Sequence, residues 1–158
     1  MSERSVEYAT FTIDRTYEVS PAAVFAAWAT PEAKSRWFKD PDGWVTNAPY
    51  ELDFRVGGHE LSSGSPEGGP LIDYRAHYWD IVQDERIVYT YEMQMDGTRI
   101  SVSLATVELE PKGAGTRISV TEQGAYLDGH DTPDQRQQGT GPLLDALGEV
   151  LRTDSGAA

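Results

Sequence analysis

The chain contains no cysteine. That absence removes disulfides, thiolate nucleophiles, zinc ribbons and iron–sulfur clusters together, and it fits a reducing cytoplasm. Cations are scarce as well: 13 Lys and Arg stand against 26 Asp and Glu, a formal net charge of −13. Binding a polyanion requires a basic face, so neither nucleic acid nor an anionic membrane surface is expected as a partner. No stretch approaches the ~18 apolar residues of a membrane span. The opening Met1-Ser2-Glu3-Arg4-Ser5-Val6-Glu7 has no apolar segment after its charges, so no secretory signal is read there and a cytoplasmic location is expected. Phosphate loops, His-Glu-x-x-His and Gly-x-Ser-x-Gly are all missing. His59, His77 and His130 fall on separate elements without ligand spacing, and the loop with Asp128, His130 and Asp131 offers too few ligands to enforce a divalent ion. Neither a cofactor nor a metal is expected.

At 158 residues the chain predicts one domain, over 1–152, with a small polar tail over 153–158. Phe11, Ile13, Tyr17 and Val19 alternate with polar residues, a half-buried first strand. Ser20-Pro21 and Thr30-Pro31 then open two short helices, the first carrying Val24, Phe25 and Trp28, the second Ala33 and Trp37. Alternation returns from Tyr50 to Val56, and Gly57-Gly58 suits a tight hairpin into His59-Glu60-Leu61. Residues 62–70, rich in Ser, Gly and Pro, read as an exposed, mobile loop. Strands follow over about 71–82, 86–95, 98–110 and 116–123, joined by turns that include Asp96-Gly97. Beyond Asp131 the period becomes 3.6: Thr132-Pro133-Asp134-Gln135 caps a helix whose apolar face holds Leu143, Leu147, Val150 and Leu151, with Gly139, Gly141 and Pro142 expected to bend or interrupt it. The order argues an α+β domain in which a curved antiparallel sheet wraps the last helix.

The string from Ile13 to Pro21, then Val24-Phe25-Ala26-Ala27-Trp28, Pro31-Glu32 and Arg36-Trp37-Phe38, resembles the opening of the heat-shock ATPase activator homologue (Aha-type) branch of the SRPBCC, or START-like, superfamily. The likeness continues through Asp53 to Gly58, Glu85 to Tyr91, Val107 to Pro111 and Gly115 to Ile118. It implies the helix-grip fold, shared with Bet v-like proteins, with a cavity between sheet and long helix. Where this family commonly has His-Glu at the end of the last strand, the chain has Glu122-Gln123; where it often has Trp on the last helix, the chain has Gly139-Thr140-Gly141.

Strand parity supplies the candidate ligand-binding residues. Ile118 and Val120 should face the helix, and counting by two brings Glu122 with them; Phe11, Ile13 and Tyr17 likewise carry Arg15 inward. Counting back from Ile81 places Trp79 and His77 inside, and Tyr89 and Tyr91 add apolar contact. Charges on an apolar face are costly to desolvate unless paired or wetted, which argues for a cavity. Arg15 and Glu122 are expected to pair across neighbouring strands. Three functions compete: binding of a hydrophobic, aromatic or lipid-like small molecule; regulation of a heat-shock ATPase, as the resemblance implies; and a cavity enzyme of cyclase or lyase type using Glu122 or His77 as acid or base.

Overall fold

Alternation of apolar and polar side chains builds β1 (Val6–Tyr17), whose inner face carries Phe11, Ile13, Arg15 and Tyr17. Ser20 and Thr30 each cap a helix begun by proline: their hydroxyls accept the backbone N–H of Ala23 and Ala33, which sets α1 (Pro21–Ala29) and α2 (Pro31–Lys34). The chain continues through β2 (Trp44–Leu52), β3 (His59–Pro66), β4 (Ile72–Val82), β5 (Arg86–Met95), β6 (Thr98–Lys112) and β7 (Gly115–Leu127), and ends in α3 (Pro133–Asp154). These elements are seen in a computed structural model that describes residues 3–156. The strands form one seven-stranded sheet of order β1-β7-β6-β5-β4-β3-β2, antiparallel throughout. The expected α+β helix-grip is therefore the fold.

Local chemistry explains where elements differ from expectation. Residues 62–66 are strand rather than loop because they pair with β2 on one side and, through Ser62 to Gly64, with β4 on the other; Gly64 also answers crowding, since a Cβ there would lie 2.3 Å from the Asp40 carboxylate. Asp96 and Gly97 both have positive φ, the conformation of a tight hairpin turn. At Gly57-Gly58 only Gly57 does; Gly58 is required by proximity, since a Cβ there would sit 2.0 Å from the Asp53 carbonyl oxygen. β2 starts at Trp44 and stops at Leu52, leaving Phe54 and Val56 beyond it, and β7 runs on to Leu127. Helix α3 is continuous through Gly139, Gly141 and Pro142. Pro142 lies on the exposed face, where water can take the carbonyl that its missing N–H leaves free.

The core lies between the concave face of the sheet and the helices. Leu144, Leu147 and Leu151 of α3 are buried with Ile13, Val120 and Ile118, and Trp28 meets Trp37 edge to face at 4.7 Å. Tyr17 ties the helix to β1: its hydroxyl donates to the Leu144 carbonyl at 2.6 Å, and its ring lies where a Cβ on Gly148 would approach to 2.9 Å. The helix takes in Thr153 and Asp154, assigned to the tail from sequence, because Arg36 holds Asp154 with bonds of 2.7 and 2.9 Å. The last residues of that tail, Ala157 and Ala158, lie outside the described residues. Among the described residues no helix is long and apolar enough to cross a membrane.

The two halves of α3 are unequally held. Between Pro133 and Pro142 the helix has no apolar side chain, and its inward members there are Arg136, Thr140 and Gly141. Local opening follows the density of buried apolar contact. Amide hydrogen exchange over residues 137–141 is expected to be faster than over 144–150, and equal protection would show the first half to be as firmly packed as the second.

Candidate functional site

Inward-facing aromatic residues recur along the concave face. Tyr74 and Tyr78 of β4 and Tyr89 and Tyr91 of β5 share it. Ring centroids are 5.6 Å apart for Phe25 and Phe54, 5.2 Å for Phe54 and Tyr78, and 5.5 Å for Tyr78 and Tyr89. The run continues at 6.1 Å from Tyr89 to Tyr91, 4.9 Å from Tyr91 to Tyr74 and 5.1 Å from Tyr74 to Phe38. This aromatic band connects two buried polar clusters.

The first cluster centres on Glu60 of β3, itself fully buried. Lys34, the last residue of α2, places its Nζ 2.7 Å from Glu60 Oε2 and 2.8 Å from Oε1. Tyr78 donates to Oε1 at 2.8 Å and Tyr50 donates to Oε2. The ammonium is boxed by rings, with Phe38 4.5 Å and Trp28 5.2 Å from Nζ to centroid. Burial pushes the Lys34 pKa down while Glu60 opposes that shift. Each carboxylate oxygen thus meets both the cation and a phenol.

The second cluster joins β5, β6, β7 and the first half of α3. Tyr91 donates to Glu122 Oε1, and Arg136 donates to the Tyr91 hydroxyl at 3.0 Å and to Ser101 at 2.7 Å. Arg136 also pairs with Asp131. Burial works against the Arg136 charge, but Tyr91 and Asp131 together raise its pKa. Glu122, 3% exposed, has its pKa raised by burial against the opposing hydrogen bond from Tyr91 and the charge of Arg136. Tyr89 sits between the clusters: burial raises its pKa most, with Glu122 and Glu60 both adding to the rise.

The structure brings Tyr89, Tyr91 and Glu122 together on the inner face and separates the other candidates from them. Arg15 faces inward, yet it pairs with Asp145 at 2.7 Å rather than with Glu122. The register sets Arg15 beside Ile118 and Glu122 beside Phe11, four positions away and roughly 14 Å at about 3.4 Å per residue. Arg15 instead borders an open groove of about 420 Å³ with Gly141, Pro142 and Asp145. His77 and Trp79 face outward. A bulge between Tyr78 and Asp80 inserts one residue, so Ile81 and Tyr78 are both inward while Trp79 is 58% exposed, its ring tilted against His77 with centroids 4.3 Å apart and its indole N–H donating to Thr90. Asp128 and Asp131 are engaged by Arg4 and Arg136, and no group of metal-ligating residues forms among the described residues.

Sequence reasoning missed Lys34, Glu60, Tyr50, Tyr74, Tyr78 and Arg136, and weighed Asp131 as an ion ligand only. For Arg136 a signal was present: stepping back along the helix from Leu151 through Leu147 and Leu144 reaches Thr140 and Arg136 on one face. Tyr74 with Tyr78 and Tyr89 with Tyr91 likewise share parity within their strands. Lys34 and Glu60 had no local mark, since only tertiary contact makes them a pair.

Removing one member of a buried ion pair leaves the other uncompensated. Lys34→Met should therefore cost about 3–5 kcal/mol in urea unfolding, and Lys34→Met with Glu60→Leu substantially less; equal losses would mean that the pair is not what the site depends on. Burial holds the phenols of Tyr74, Tyr78, Tyr89 and Tyr91 above their ordinary pKa of about 10. The native state keeps those protons while the unfolded chain loses them, so stability should fall as pH rises above about 10, by up to about 1.4 kcal/mol per pH unit for each such tyrosine. A flat stability profile from pH 9 to 11 would contradict their burial.

Comparison with known proteins agrees with this architecture. The family described as activator of Hsp90 ATPase homolog 1-like protein matches residues 18–152. A Rhizobium leguminosarum protein of solved structure is 45% identical, with a TM-score of 0.89 over 95% of this chain and 98% of its own. The Rhizobium loti protein Mll3558 is 48% identical, with a TM-score of 0.84 over 92% of this chain and 98% of its own. An AHSA1-like protein from Aeromonas hydrophila, 21% identical with a TM-score of 0.68 and 94% of each chain covered, shares the fold. No curated protein matches the chain. With its helix-grip fold and a family match over most of its length, the chain belongs to the activator of Hsp90 ATPase homolog 1-like family, the Aha-type branch of the SRPBCC superfamily.

Proposed function

We propose that the protein binds a hydrophobic, aromatic or lipid-like small molecule between the concave face of the sheet and the first half of α3, in the cytoplasm. One observation carries this reading: the first half of α3, which reaches the phenol-lined face through the Arg136 hydrogen bond to Tyr91, offers that face no apolar side chain of its own. A packed core would place leucines there, as the second half of α3 does with Leu144 and Leu147. An apolar wall with a few convergent polar groups is the usual form of a small-molecule site. Tyr89, Tyr91 and Glu122 are the contacts we assign to it; Arg15 lies at the edge of the helix, and the outward His77 and Trp79 are left out.

A second reading rests on the family's description, which speaks of activating a heat-shock ATPase. Stimulated ATP hydrolysis by such a partner on addition of this protein would favour it, whereas turnover of a bound molecule would favour an enzyme with Glu122 as acid or base.

Native mass spectrometry of protein purified from its own host distinguishes these outcomes. Wild type should retain a small apolar molecule in about equimolar amount. Thr140→Phe, which puts a ring where the Thr140 hydroxyl faces Glu122, should lose that molecule while keeping a cooperative melting transition. Retention by neither protein, with no saturable uptake of added aromatic compounds, would overturn ligand binding.

A further inference from the structure

The two buried carboxylates are not treated alike. Glu60 has Lys34 against both of its oxygens and a phenol on each. Glu122 is almost as deeply buried and has no ion-pair partner among the described residues. Its Oε1 is met by Tyr91. Its Oε2 has only the Thr140 hydroxyl at 3.4 Å, and that hydroxyl lies closer, at 3.0 Å, to the Arg136 carbonyl. A hydroxyl has one hydrogen to give, so the shorter contact takes it and Oε2 is left without a full donor.

The nearest cation does not fill the gap. Arg136 reaches Tyr91 rather than Glu122, and its charge is matched by Asp131. Counting one positive group, Arg136, against two negative groups, Glu122 and Asp131, leaves the cluster one positive charge short. The surrounding rings are electron-rich: Tyr74 and Tyr91 lie 4.9 Å apart, and Arg136 already rests over the faces of Tyr91 and Tyr126, 5.4 Å from each centroid. Phenol faces beside an unmatched carboxylate select a cation with apolar substituents.

We infer that the ligand class of this site is an organic cation, an amine carried on an aromatic or aliphatic body, with its nitrogen donating to Glu122 Oε2 and its body against Tyr74, Tyr89 and Tyr91. The inference rests on the reading of the site as a ligand pocket and adds the charge of the occupant. Entry runs beside Thr140, under the half of α3 that no apolar contact secures. A protonated amine supplies the donor and the charge in one group, as Lys34 does for Glu60. An anionic ligand would add a second unmatched negative charge to the cluster, and a neutral one would leave Glu122 uncompensated.

The test uses three probes of one shape and different charge: phenethylamine, 2-phenylethanol and phenylacetate. Each is titrated into the full chain, freed of copurified ligand, by calorimetry at pH 7. The amine should bind with one-to-one stoichiometry at least about tenfold more tightly than the alcohol, and phenylacetate should not bind. The preference should persist in 0.5 M NaCl, because attraction to the acidic surface is screened over a few ångströms there and a buried pair is not. Glu122→Gln should bind the amine and the alcohol alike. Equal affinity of wild type for amine and alcohol would overturn the charge assignment and leave the pocket standing, with burial having protonated Glu122. A preference that disappears in salt would also overturn it, by moving the cation to the surface. Failure of all three probes to bind would overturn the pocket and the inference with it. The wild-type ratio decides even if Glu122→Gln fails to fold.

Discussion

Charge buried under the concave face of the sheet must be matched atom by atom, and the Lys34–Glu60 pair shows how many elements that takes. The cation comes from the end of α2, the carboxylate from β3, one phenol from β4 and the other from β2. Each ion taken from water costs several kcal/mol unless partners replace the lost hydration, so none of these elements can shift by a residue without stranding a charge. A slip of one position in β3 would turn Glu60 to the outer face and leave Lys34 alone among rings. Hydrophobic contact between α2 and the sheet could be met in several ways; the ion pair admits one. It fixes the two short helices against the β2–β3 end of the sheet and gives the aromatic band a rigid border.

At the other end the same chemistry is left incomplete, and the difference lies in what carries the partners. Glu60 is met by groups whose elements all belong to the firmly packed body. Glu122 is met by β5 and, weakly, by Thr140 on the half of α3 that lacks apolar anchors. Arg136 ties that half to the sheet through Tyr91 and Ser101, polar bonds that exchange with water at modest net cost. Leu144, Leu147 and Leu151, with the Tyr17 hydroxyl on the Leu144 carbonyl, hold the rest of the helix in place. A helix fixed at one end and held by hydrogen bonds at the other is suited to opening over the second cluster while the first stays closed.

How much of this could be read in the sequence depends on the range of the interaction. The capping prolines and hydroxyls of all three helices, the Asp96-Gly97 turn and the inward parity of Ile13 and Val120 are set by neighbours within a few residues, and they stand as read. Glu122 was reached by counting along an unbroken strand. Trp79 and His77 were misplaced by the same count, because the bulge after Tyr78 is invisible to alternation and reverses parity beyond it. Residues 62–66 look like a loop by composition since Ser and Gly are common in loops, whereas here they pair with β2 and β4, and the small size of Gly64 answers the closeness of Asp40. Arg15 was found on the correct face but given the wrong partner: parity states which side of a sheet a residue occupies and says nothing of its distance along the strand.

The surface charge and the second cluster act in the same direction. With 13 Lys and Arg against 26 acidic residues, most arginines are already engaged by a carboxylate, among them Arg15 with Asp145, Arg36 with Asp154, Arg86 with Asp80 and Arg117 with Asp14. The field left over is negative, so it draws small cations toward the protein and keeps small anions away, an effect on encounter that salt weakens. Such a field has no shape and cannot choose among amines. Selection has to occur where water is excluded, and Glu122 is the buried carboxylate whose charge the protein does not itself answer. For an organic cation, attraction at the surface and pairing at the carboxylate then follow one gradient from solvent to core. Lys34 has no such route, because it is enclosed at the far side of the band and both of its carboxylate contacts are to Glu60.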